Sequence, residues 1–255
     1  MATRLVDWKR EKECDVYLAS KPSPGRPTCP GGQSAGLGVN ADLLADAGGT
    51  ARWVERLGPG TVVLRGFAGE TAAAIWAAVG RLTKLAPFRQ MQTPGGFRMS
   101  VAMSNCGEVG WVTDPAGYRY AERDPDSGRP WPAMPELFRQ LAATAASAAG
   151  FADFVPDACL INRYAVGARM SRHQDRDERD LTQPIVSLSL GLPAVFLFGG
   201  GQRSDAAVRV TLTHGDVVVW GGPDRLRYHG VLAIKPGEHP LLGACRVNLT
   251  FRKAR

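Results

Sequence analysis

Between residues 158 and 252 the chain breaks into seven short runs of β-branched and apolar residues: ACLINRYA, PIVSLSL, AVFLF, AVRVTLT, DVVVW, RYHGVLAI and RVNLTF. Gly, Pro, Asp and Asn turns separate them, and seven such runs indicate an all-β core of sandwich or jelly-roll type. Upstream, residues 70–85 (ETAAAIWAAVGRLTKL) and 134–149 (MPELFRQLAATAASAA) combine helix-forming alanines with apolar residues at helical spacing, and Gly150 stops the second. The expected class is therefore α+β, mainly β, with two supporting helices. A chain of 255 residues is long enough for one sizeable domain.

Residues 20–50 are rich in Pro, Gly, Ser and Ala and cannot bury enough apolar surface to offset their ordering entropy. Residues 1–55 are thus expected to be a disordered or weakly ordered extension, with a single domain over 56–255 that begins near Gly58, where TVVLRGF reads as a strand. The longest uncharged run, 181–202, has the length of a membrane span, but Pro184, Gly191, Pro193 and three glycines at 199–201 break it into two buried strands. The amino terminus interleaves acids and bases without the apolar centre of a signal peptide. Five cysteines, Cys14, Cys29, Cys106, Cys159 and Cys245, form no CxxC pair and argue for a reducing compartment. A cytoplasmic protein with no membrane association and no evident protein partner is the expectation.

The chemistry concentrates in the β region. His173 and Asp175 stand two apart, so on an extended segment both side chains share a face. His229, 56 positions on, can return on another strand. Two imidazoles and a carboxylate occupy one face of an octahedral metal and leave positions open, the ligand set of non-haem Fe(II) oxygenases. Asp175 is preferred over Asp177 as the carboxylate. His214, before a Gly-Asp turn, and His239, before Pro240, read as loop residues. In RVNLTFR, Arg246, Asn248, Thr250 and Arg252 fall on one strand face and Val247, Leu249 and Phe251 on the other. Guanidinium groups bind carboxylates bidentately, so the polar face suits a dicarboxylate such as 2-oxoglutarate, with Asn162 and Tyr164 able to complete its pocket.

LINRYAVGARMSRHQD, PIVSLSLGLPA, HGDVVVWGG, RYHG and RVNLTFR, with PFRQMQTPGGFRMSVAMSNCG upstream, together resemble the AlkB family of Fe(II)/2-oxoglutarate dioxygenases. The resemblance covers roughly residues 58–255. It implies a double-stranded β-helix (jelly roll) core at about 156–255, with helices supporting one sheet and a nucleotide-recognition lid at about 88–125. It further implies Fe(II) on His173, Asp175 and His229, with 2-oxoglutarate and O2 as cosubstrates and Arg252 as anchor of the distal carboxylate. The implied activity is oxidative demethylation of N-alkylated bases such as 1-methyladenine and 3-methylcytosine, with release of formaldehyde. Alkylated DNA is the implied partner, single-stranded in preference, with duplex DNA and RNA left open. The net charge of +7 agrees with a polyanionic partner.

Substrate residues follow partly from the residues themselves. Trp111, Tyr118 and Tyr120 lie in a Gly/Asp/Pro-rich segment where core burial is not expected, and aromatic faces hold an extruded base by stacking. One of the three is expected to plug the lid onto the core instead. By resemblance, Asp177 faces the base, where a carboxylate favours a cationic alkylated base over its neutral parent. Thr93, Met99, Met103 and Arg203 align with substrate-facing positions, although methionines also serve as core filler. Trp220 reads as a packed strand residue.

Overall fold

Two antiparallel sheets share their inner faces in the computed structural model, which describes residues 52–255. The larger holds seven strands: β1 (Trp53–Gly58), β2 (Thr61–Arg65), β3 (Ala102–Gly107), β6 (Ala158–Ala165), β8 (Ile185–Gly191), β11 (Val217–Trp220) and β13 (Cys245–Arg252). Their order across the sheet is β1-β2-β11-β8-β13-β6-β3. The smaller runs β10-β9-β12-β7, from β7 (Met170–His173), β9 (Ala194–Phe198), β10 (Val208–Leu212) and β12 (His229–Val231). A third sheet is only the hairpin of β4 (Gly110–Asp114) and β5 (Gly117–Ala121). This is the expected jelly-roll arrangement, and each of the seven runs contributes a strand.

Period-two alternation sorts the side chains into two cores. Val62, Leu64, Val186, Leu188, Leu190, Val217, Val219, Val247, Leu249 and Phe251 point to the outer face of the large sheet. There they pack on Ile75, Val79 and Leu82 of α1 (Ala72–Leu85) and Phe138, Leu141 and Ala145 of α2 (Glu136–Ala148). Val63, Ile185, Val218 and Trp220 point inward and meet Phe196, Phe198, Val210, Leu212 and Val231 from the small sheet. Both helices begin two residues later than their sequences suggest: Thr71 and Pro135 precede them, and Pro135 is extended at ψ 145°.

The domain starts earlier than expected. β1 pairs with β2 from Trp53↔Arg65 onward. Its signal is weak because it is an edge strand: Trp53 and Val54 are more than half exposed, and no apolar run marks it. β7 was also illegible, since MSRH has no apolar alternation. The expectation for residues 1–55 falls almost entirely outside the described residues. Cys106, Cys159 and Cys245 are free thiols. Among the described residues no helix is long and apolar enough to cross a membrane.

Candidate active site

Pairing of β12 with β7 sets His229 directly opposite His173. Their ring centroids lie 4.4 Å apart. Asp175, just past the end of β7, completes the group: its Oδ1 is 3.6 Å from His173 Nε2 and its Oδ2 is 3.8 Å from His229 Nε2. One donor atom from each residue lies within 4.8 Å of the others, the only such cluster of three among the described residues. His173 Nδ1 donates to the Ser171 carbonyl at 2.9 Å and His229 Nδ1 to the Arg227 carbonyl at 3.0 Å. A carbonyl only accepts, so both Nδ1 atoms carry a proton, and both Nε2 atoms face the carboxylate.

The electrostatics favour a ligand set ready at neutral pH. Burial lowers the His229 pKa to about 4, with His173 adding to the effect, so this ring is neutral. For Asp175, burial works against ionisation, but Arg252 and then the two imidazoles hold the carboxyl well below the usual range. Arg252 grips Asp175 Oδ2 through Nη2 at 2.8 Å and Nε at 3.2 Å. A buried imidazole, a part-exposed one and a buried carboxylate are the donor set a divalent iron needs, and they fit it.

Beside this cluster the polar face of β13 is built as the alternation requires. Arg246, Asn248, Thr250 and Arg252 are all buried. Asn248 donates to Ser187 Oγ and the Leu188 carbonyl, and its Oδ1 accepts from Thr250 at 2.9 Å and Asn162 at 3.3 Å. Arg246 donates one Nη2 bond to Ser189 and lies 4.9 Å from the Tyr164 ring centre. Its Nε and Nη1, with Asn162 Oδ1 and Trp220 Nε1, are buried without a partner. Burial lowers the Arg246 pKa from the ordinary guanidinium value. A buried cation with two spare donors calls for an anion, and a dicarboxylate fits this face. Ser187 and Ser189 belong to it too; their alternation in PIVSLSL was the available signal.

The β4–β5 hairpin brings Trp111 and Tyr120 opposite each other. Trp111 stacks on Tyr118 with centroids 5.8 Å apart, and its indole N–H donates to Asp177 Oδ2 at 2.9 Å. Tyr120 instead packs against the small cluster of Val109, Ala158 and Ala254 and donates its hydroxyl to Glu178 at 2.5 Å, which makes it the plug rather than a free stacking face. Thr93 is buried and uses its hydroxyl to accept from Phe97 N within its own turn. Met99 packs against the inner core, and Met103 lies fully within it, as filler. Arg203 sits in the loop after β9, its guanidinium 5.4 Å from the Tyr228 ring centre. His214 and His239 stack on each other away from the triad, and His214 accepts from Gly191 N. Glu178 and Arg225, both buried, went unnoticed in sequence: Glu178 lies within DRDERD, which reads as a solvated run.

The profile of the 2OG-Fe(II) oxygenase superfamily matches residues 60–252. The "Alpha-ketoglutarate-dependent dioxygenase AlkB" of Salmonella typhimurium is 58% identical over 213 residues, 84% of this chain and 97% of that protein. The "DNA N(6)-methyladenine demethylase ALKBH1C" of Arabidopsis thaliana is 34% identical over 166 residues, 55% of this chain and 36% of that protein. The solved structure of OsALKBH1 superposes with a TM-score of 0.69 at 30% identity, covering 78% of this chain and 99% of that one.

Proposed function

The chain belongs to the AlkB family of the 2OG-Fe(II) oxygenase superfamily, and from that premise we propose that it repairs DNA by oxidative dealkylation of bases such as 1-methyladenine and 3-methylcytosine. It is an Fe(II)- and 2-oxoglutarate-dependent dioxygenase. The observation that carries the substrate reading is the Trp111 indole, stacked on Tyr118 and bonded to Asp177, two residues from the metal carboxylate. An aromatic face beside a carboxylate suits a flat cationic base taken out of the stack. Single-stranded DNA is the preferred form, because it spares the unpairing cost.

His173, Asp175 and His229 would hold the iron. When bound, the iron with 2-oxoglutarate and oxygen supplies the oxidising power that hydroxylates the N-alkyl carbon while 2-oxoglutarate leaves as succinate and carbon dioxide. The hydroxylated carbon then breaks from nitrogen as formaldehyde and restores the base, without a general base from the protein. Arg252 is fixed to Asp175, so it suits the carboxylate nearest the metal. Arg246, six residues along an extended strand with spare donors beside Tyr164, suits the distal one. This exchanges the roles expected from sequence. Asp177 attracts the cationic base, and Trp111 covers it and excludes water.

Purified protein supplied with Fe(II), 2-oxoglutarate and air is tested on oligonucleotides carrying one N1-methyladenine, as DNA and as RNA of the same sequence. The expected result is loss of one CH2 in mass with one formaldehyde per lesion, faster on DNA, and none with His173→Ala. Succinate without demethylation would discard the lesion substrate and keep the oxygenase.

A further inference from the structure

A buried ion pair lies behind the metal ligands, and neither of its members, Glu178 and Arg225, is used by the iron or the 2-oxoglutarate reading. The Glu178 side chain is 2% exposed and that of Arg225 3%, and they pair at 2.9 Å through Oε2 and Nη2. Arg225 also donates Nη1 to the backbone carbonyl of Asp175 at 2.5 Å and Nε to the Gln183 carbonyl at 2.9 Å. The other Glu178 oxygen accepts the Tyr120 hydroxyl at 2.5 Å and lies 3.4 Å from Arg252 Nε. Arg252 is the residue that grips the Asp175 carboxylate. Glu178 therefore touches both arginines that hold Asp175, one by its backbone and one by its side chain.

The lid supplies the other end of this chain of contacts. Trp111 and Tyr120 are cross-strand partners in the hairpin, and they donate to the successive carboxylates Asp177 and Glu178. Asn105 on the Trp111 backbone, Thr113 on the Gln92 carbonyl and Trp131 on the Ala121 carbonyl also hold the hairpin, but two of its bonds reach carboxylates: one on the carboxylate assigned to the substrate, the other on the carboxylate behind the metal. We propose that Glu178 and Arg225 are positioning residues that couple the seating of the β4–β5 hairpin to the placement of the Asp175 carboxylate. Two carboxylates and two guanidinium groups balance within the cluster, so it keeps its geometry without counter-ions from solvent. A buried network of this kind has few alternative arrangements, and removing one member forces the others to move. A base that takes Asp177 from Trp111 leaves the Tyr120–Glu178 bond as the hairpin's remaining tie to a carboxylate, and any shift of the hairpin is passed through Glu178 to the metal carboxylate.

The inference rests on the metal reading of the triad, and its test separates the two. Co(II) binding is followed by visible absorption, and hydrogen exchange is measured over residues 110–121 with and without Co(II) and 2-oxoglutarate. In the wild type, metal and 2-oxoglutarate are expected to slow exchange in the hairpin. Tyr120→Phe, which removes one hydroxyl that ligates no metal, is expected to weaken Co(II) about fivefold and to abolish that protection. Glu178→Gln is expected to weaken Co(II) about tenfold or more. If Glu178→Gln does not fold, Tyr120→Phe alone decides. A Tyr120→Phe protein that binds Co(II) within about twofold of wild type, with hairpin exchange blind to metal in the wild type, overturns the coupling and leaves the metal site standing. A wild type that binds no Co(II) overturns the metal reading and this inference with it.

Discussion

At the scale of single residues, the site keeps His229 neutral by burying it, and that choice has a pH signature. Its pKa falls from the ordinary 6.5 to about 4. A base whose folded pKa is depressed contributes stability that is present above 6.5 and lost as pH falls toward 4. Metal-free protein is therefore expected to lose about 2 kcal/mol between pH 6.5 and 5, measured by urea unfolding, and His229→Gln is expected to remove most of that slope. The two arginines separate in the same way. Arg246→Lys is expected to raise the KM for 2-oxoglutarate about tenfold while metal affinity stays within about twofold, because a lysine cannot reproduce a planar two-donor grip. Arg252→Lys is expected to weaken both, since it also releases Asp175; calorimetric titration of metal and cosubstrate decides. His173 and Asp175 were legible from their two-residue spacing at a strand end, and His229 from its place in a strand run. Glu178 and Arg225 were not, because local sequence cannot tell a buried charge from a solvated one when its partner lies 47 residues away.

At the scale of elements, β13 shows how one strand serves two purposes. Its outward residues Val247, Leu249 and Phe251 are fully buried against the helices, while its inward residues form the polar pocket. Leu249→Ala is expected to cost about 2–5 kcal/mol in urea unfolding, with the 2-oxoglutarate KM unchanged in protein that remains folded. Asn248→Ala is expected to cost less stability but to raise that KM, because Asn162 and Thr250 lose the oxygen that holds them. Alternation made this strand readable in full. It could not reveal β1, whose exposed Trp53 and Val54 mark an edge, nor β7, four residues long with a mixed pattern. The hairpin was readable as an aromatic segment among turn residues. Which of its aromatics is the plug depends on Glu178 and so lay beyond local sequence.

At the scale of the whole molecule, the net charge of +7 and the aromatic face of the β4–β5 hairpin are expected to contribute separately to nucleic-acid binding. Affinity for a single-stranded oligonucleotide, read by fluorescence anisotropy, is expected to fall as salt rises, because charge contacts release counter-ions. Trp111→Ala is expected to weaken binding of a lesion-bearing strand by about 1–3 kcal/mol without changing the salt slope, since stacking moves no ions. The jelly roll and its helical backing were foreseeable from seven strand runs and two periodic segments. The hairpin has a different standing in the architecture: β4 and β5 pair only with each other and share no strand ladder with either large sheet. A segment that shares no ladder with its scaffold behaves like an interchangeable part. Natural variation or a designer can reshape it to accept a new lesion, provided the Tyr120 and Trp111 fastenings are kept, without renegotiating the register of eleven other strands.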